Sequence, residues 1–174
     1  MRWVRWTLLA QVVFFAGWAA REEWKRLAAP VIRLETAPVD PRDLWSGQYL
    51  QLAYPIAWVD RLPGFPSAAP SRPVPLAVRL VPRPVRIDGV PVVVWQAAEV
   101  RVPPGAIPAR QDPGQGVWVL GTWTGRRRGV VYGIERFYFS ESRMKEFSAR
   151  RSGALHVECG VGRDGRLTIR RLVE

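Results

Sequence analysis

Few residues in this chain have the chemistry to bind or to catalyse. Asp40, Arg42, Asp43, Glu135 and Glu141 carry charge that, brought to one end of a sheet, would hold a ligand or a cation. Taken locally, Asp40-Pro41-Arg42-Asp43 is a turn in which a carboxylate caps backbone amides and proline presets φ. A structural role is the first expectation for this group, and a carboxylate-lined pocket the alternative. His156 and Cys159 would be the base and the nucleophile of a hydrolytic pair, but three residues apart in a strand their side chains point to opposite faces. A surface imidazole and a buried thiol are expected instead. The only lysines are Lys25 and Lys145, and Lys145 stands beside Glu146 on a surface-type helix, so serine–lysine chemistry lacks a desolvated base. One cysteine and one histidine cannot supply a zinc site, and one cysteine cannot close a disulfide. No glycine-rich phosphate loop or dinucleotide fingerprint is present. No catalytic residue, metal ligand or cofactor is therefore expected.

The elements that must position these residues are short strands. Runs at 31–35, 49–54, 76–81, 90–95, 98–102, 117–123, 129–132, 136–139, 155–159 and 167–172 are rich in β-branched and aromatic residues. Several alternate: Leu50, Leu52 and Tyr54 lie opposite Tyr49, Gln51 and Ala53, and Leu76, Val78 and Leu80 opposite Ala77, Arg79 and Val81, which predicts sheets with one wet face. Asp88-Gly89 and Asp164-Gly165 sit between such runs and predict two tight hairpins. The proline-rich stretches 63–75 and 103–116 read as loops within one domain. A lone helix is predicted over 141–150, with Ser140 as its N-cap and Gly153 ending it. Arg126-Arg127-Arg128 is a cationic hairpin tip. The expected fold is mainly β: a single antiparallel β-rich domain, a sandwich or partly open barrel with one short helix, preceded by an N-terminal transmembrane helix.

That helix is expected from Arg2 and Arg5 followed by an apolar run, Trp6 to Ala20, that ends at Arg21. Fifteen residues span only about 22 Å, short of the ~30 Å hydrocarbon core, unless Arg5 and Arg21 snorkel and Trp3 and Val4 extend the run. Trp3, Trp6, Trp18 and Trp24 flank it as an interfacial belt, and Trp18 makes a poor cleavage site, so an uncleaved anchor is expected. Residues 1–24 would be the anchor with a short cytoplasmic tail, 25–30 a juxtamembrane segment and 31–174 an extracytoplasmic β-rich domain.

The net charge of +11 raises nucleic acid as a partner, but residues 21–62 balance six basic against six acidic residues and the excess is spread along the rest of the chain. With an export signal in front, the membrane is the expected partner and nucleic acid is not.

One signature stands out. Gly47-Gln48-Tyr49-Leu50-Gln51-Leu52-Ala53-Tyr54, approached by Pro38-Val39-Asp40-Pro41-Arg42-Asp43-Leu44, resembles the GDYXXLXY family of bacterial membrane-anchored proteins, whose name spells its motif. Gly47, Tyr49, Leu52 and Tyr54 match, and Gln48 stands where the family has aspartate. Tyr132-Gly133-Ile134-Glu135-Arg136-Phe137-Tyr138-Phe139, followed by Glu141, is similar to the family's C-terminal block. The resemblance implies an anchored accessory or interaction domain without established activity, often found alongside multi-pass membrane proteins, so such a protein is the expected partner. A cell-envelope ligand sensor or enzyme with a carboxylate-lined pocket is the alternative. The residues it singles out, for structure or binding, are Asp40, Arg42, Asp43, Gly47, Gln48, Tyr49, Leu52, Tyr54, Gly133, Glu135, Phe139 and Glu141.

Overall fold

The computed structural model describes residues 2–36, 49–68, 70–87, 89–102, 112, 114–125, 129–138 and 155–173. It opens with helix α1, Arg2–Ala28, which runs through the charged segment past Ala20 and stops where Pro30 removes the next amide donor and pushes Ala29 out of helical backbone. Ion pairs one turn apart, Lys25–Glu22 at 2.6 Å and Arg26–Glu23 at 2.8 Å, support its last turns. At 1.5 Å per residue α1 is about 40 Å long, so length is not its limitation. Hydropathy is: among the described residues no helix is long and apolar enough to cross a membrane. Between Arg5 and Arg21 the uncharged run includes Thr7, Gln11 and Gly17 with its apolar residues, which dilutes it. The transmembrane character expected of this helix is thus not shown, although the helix itself is.

Strands β1 (Val31–Glu35), β2 (Tyr49–Gln51), β3 (Val74–Ile87), β4 (Val90–Arg101), β5 (Val117–Trp123), β6 (Val130–Val131), β7 (Arg136–Tyr138), β8 (His156–Val161) and β9 (Leu167–Val173) follow. They form three sheets, ordered β1-β8-β9, β2-β7 and β4-β3-β5-β6, and every pairing is antiparallel. The mainly β, antiparallel fold expected from the alternating runs is present. Antiparallel hairpins join β3 to β4 and β8 to β9 at both expected places, with Gly89 and Gly165 at φ 81° and 77°.

Two elements differ from the sequence expectation. The runs 90–95 and 98–102 form one strand, because a bulge absorbs the break in alternation: Arg79 pairs with Glu99 and Leu80 with Ala97, leaving Ala98 as the extra residue of β4. Strand β3 begins at Val74, inside the expected loop, and continues through Pro82 and Pro84 to Ile87. The helix expected over 141–150 and the Arg126-Arg127-Arg128 tip lie outside the described residues.

The three sheets share one core. Ile32, Leu34, Val157, Cys159, Val161 and Leu167 enter it from the first sheet, and Leu76, Val78, Leu80, Trp95, Val100, Val117, Val119, Trp123 and Val130 from the third. In β5 the alternation is strict, with Val117, Val119, Gly121 and Trp123 buried. Gly121 is required there, since a Cβ would lie 2.3 Å from Val130 Cγ1. In β3 the expected wet face is dry at Ala77, which is fully buried beside Leu76 and Val78. Trp123 meets Phe65 with ring centroids 4.5 Å apart, and the Leu120 amide donates to Gly165 O at 2.8 Å, tying the third sheet to the β8–β9 turn.

Candidate functional site

The motif segment is built as two interlocked pieces of chain. Tyr49, Leu50 and Gln51 pair with Tyr138, Phe137 and Arg136, and the ladder ends with the Leu52 amide donating to Glu135 O at 2.8 Å. Beyond it the chain alternates, Gln51 and Ala53 exposed, Leu52 and Tyr54 buried, before Pro55–Ala57 coils into a 3-10 turn. The Tyr54 hydroxyl donates to Ile134 O at 3.0 Å, and the Tyr132 hydroxyl donates in return to Ile56 O at 2.8 Å. Each ring thus fills the core and each hydroxyl satisfies a buried carbonyl that secondary structure leaves free. Burial, reinforced by Cys159 and Glu135 for Tyr54 and by Glu135 for Tyr132, pushes both phenols well above their ordinary range. They remain neutral at any physiological pH and act as donors.

Glu135 is committed to the same corner. Its Oε1 accepts the Tyr132 amide at 2.5 Å and its Oε2 the Gly133 amide at 2.9 Å, closing a turn in which Gly133 has φ 84°. Glu135→Ala strands the two amides and is expected to cost about 1–3 kcal/mol in urea unfolding, whereas Glu135→Gln, which keeps one acceptor, costs less. Of the five charged residues proposed to converge, Glu135 alone is described. Asp40, Arg42, Asp43 and Glu141, and with them Gly47, Gln48 and Phe139 of the motif set, lie outside the described residues, and Tyr49 is described by its backbone pairing. Among the described residues no group of three His, Cys, Asp or Glu side chains could hold a metal ion.

His156 is not the surface residue expected: it is 3% exposed. Strand β8 is the middle strand of its sheet and is covered on both faces, leaving only Glu158 half-buried. His156 and Cys159 are an odd number of residues apart in that strand and so face opposite ways, as the spacing requires. The Cys159 thiol is buried as expected, and burial pushes it up to about 12. A thiol reagent such as Ellman's should therefore leave native protein unmodified at pH 8 and react with one equivalent after denaturation; rapid native labelling would show an open core.

Glu158 bridges its sheet, accepting from Arg33 at 2.9 Å and from Arg171 at 2.6 Å. The hydrogen bond from Arg171, and beyond it that from Arg33, hold its carboxyl below the usual carboxylate range. A depressed carboxylate stabilises the fold above its unfolded pKa, and that contribution is lost as pH falls through the folded value. Urea midpoints should fall below about pH 4 in wild type, and Glu158→Gln should remove this part of the pH dependence; an unchanged profile in the variant would refute the assignment.

A feature without any sequence signal lies where α1 meets this sheet. Glu158 pairs with Arg171 and Cys159 with Ile169, so Arg170 is the extra residue of a bulge in β9. Its Nη2 donates to Arg26 O and, at 3.1 Å, to Ala29 O, satisfying carbonyls that the end of the helix leaves free. Gly160 makes the room: a Cβ there would lie 2.9 Å from Arg170 Nε. The Val161 amide donates to Pro30 O at 2.9 Å beside it. A cleft of about 1110 Å³ opens between α1 and the β8–β9 hairpin, lined by Glu22, Arg26, Pro30, Arg163, Thr168 and Arg170 among others.

Together these define an antiparallel β protein with an N-terminal helix latched to one of its sheets and a tyrosine-rich corner at its motif. Residues 11–172 match the family described as GDYXXLXY protein, and the chain belongs to that family. Neither the curated proteins nor the solved structures contain a match.

Proposed function

We propose that this chain is a membrane-tethered accessory domain: residues 1–24 hold it to the cytoplasmic membrane, 25–30 follow as the juxtamembrane segment, and 31–174 stand outside the cytoplasm and work by contact with a partner, such as a multi-pass membrane protein. One observation carries the reading. Trp3, Val4, Trp6, Leu8, Leu9, Val12, Val13, Phe14, Phe15 and Trp18 are each more than half exposed on α1. An apolar surface on all sides of a helix needs cover, and tryptophans at both its ends suit the boundary between lipid and water. The short run between Arg5 and Arg21 is compatible with such a helix when both arginines snorkel. Arg2 and Arg5 before the run are offset by Arg21, Lys25 and Arg26 after it, so the outward placement of the β part follows the charged-then-apolar order of an export signal and not the balance of charge.

The motif supports action by contact, since the described part of it forms a packed corner and the Glu135 carboxylate is already occupied by two amides. Alkaline carbonate extraction of cell membranes tests the reading. Full-length protein should stay in the pellet, and Val13→Asp with Phe14→Asp should release it. Release of the intact, unprocessed wild-type chain would overturn the proposal.

A further inference from the structure

Strands β3 and β4 outrun their own sheet. β5 pairs with Val74–Leu80 only, so Val81–Ile87 and Val90–Gln96 pair with each other and, among the described residues, with no third strand. A two-stranded ribbon is marginal in water. Its composition is also unlike a solvated tip: Val90 is 59% and Val93 49% exposed, Pro82, Pro84 and Pro91 are exposed, and Val85, Ile87 and Val92 are half-buried. Arg83 and Arg86 are its basic residues, both exposed, against the single acid Asp88 in the sequence of the turn.

The prolines narrow down what covers this surface. Pro82 pairs with Trp95, Pro84 with Val93 and Pro91 with Arg86. Having no N–H, a proline within a ladder stands where its nitrogen faces away from the partner strand. Both outer edges of the ribbon are therefore stripped of donors at these positions. On β3 this removes two successive outward donors, at Pro82 and Pro84, and on β4 one, at Pro91, which makes the ribbon a poor template for an added strand.

We propose that the tip of the β3–β4 ribbon is a second lipid-contacting element, resting on the membrane reading of α1: it enters the interface of an anionic lipid surface end-on, with Ile87 and Val90 on one face and Val93 on the other, while Arg83 and Arg86, one on each face, lie at its phosphates. The valines and the isoleucine gain by leaving water, and the arginines reach the headgroups with their stems along apolar surface.

The test uses the full chain in lipid nanodiscs. Because Cys159 is buried, Val90→Cys offers one accessible thiol for an environment-sensitive fluorophore, with Leu9→Cys on α1 and Ser71→Cys as companions. Brominated phospholipid is placed either in the disc or in added vesicles, which identifies the surface touched. The Val90 label should be quenched with anionic lipid, the Ser71 label should not, and Arg83→Gln with Arg86→Gln should weaken the Val90 quenching about twofold or more. A Val90 label that stays unquenched in both arrangements while the Leu9 label is quenched overturns the ribbon proposal and leaves the anchor standing. Failure of the Leu9 label as well removes both. Quenching indifferent to anionic lipid and to the arginines, or Val90→Cys cross-linking between two copies in place of quenching, also overturns it.

Discussion

Tyr54→Ala should lower the free energy of unfolding by about 3–5 kcal/mol, the range for deleting a large buried aromatic. Tyr54 is 2% exposed and its hydroxyl donates to Ile134 O, so the truncation leaves a cavity and an unpaired carbonyl together. Against a total stability of about 5–15 kcal/mol for a domain, this is a large fraction of what holds the protein folded. Tyr54→Phe keeps the ring and should cost only about 1 kcal/mol. Tyr132→Phe should behave alike, because its hydroxyl has the matching task toward Ile56 O. Thermal melting of all three variants measures the series. If Tyr54→Ala melts like wild type while a partner contact is lost, the motif is a recognition surface and not a packing corner.

Gly64→Ala should be comparably damaging although it adds one methyl group. Gly64 has φ +83°, and a Cβ there would lie 1.9 Å from the carbonyl oxygen of Val100. Both partners are main chain, and they are locked together by the Val100 amide donating to Pro63 O at 2.9 Å. A flexible side chain could swing away; here the loop has to leave the β4 strand. Left-handed backbone and overpacking together suggest about 2–5 kcal/mol. Gly89→Ala is the control, since its φ of +81° is similar and nothing lies within 4 Å of its Cβ position. It should cost about 1–2 kcal/mol. Equal losses in the two variants, read from urea midpoints, would show that conformation alone governs Gly64.

The strands were legible because their alternation and their Asp-Gly turns are local properties, and the structure places β1, β5 and β9 within a residue or two of the expected bounds. Where neighbours decide, sequence was mute. His156 looks like a surface residue until β8 becomes the middle strand of a covered sheet. Ala98 and Arg170 are ordinary residues until pairing makes each of them the extra one in a bulge. At the motif, alternation correctly sends Leu52 and Tyr54 to one side. The reciprocal bonds of Tyr54 and Tyr132 join residues 80 and 76 positions apart, and no periodicity reports a contact across that distance. The Glu135 carboxylate was likewise read as a convergent charge because its actual partners are backbone amides, which every sequence carries at every non-proline position.

Only Ala29 and Pro30 separate the end of α1 from the start of β1, and Arg170 bonds across that gap. With the apolar run of α1 held in lipid, the eight helical residues after Ala20 make a stalk of about 12 Å. A floppy tether would let its cargo sweep a hemisphere and dilute itself over that volume. On the proposed membrane reading the β part would instead stand at one height and travel with its stalk, so that an encounter with a neighbour in the same bilayer would become a search in two dimensions, with the domain already turned to a set bearing.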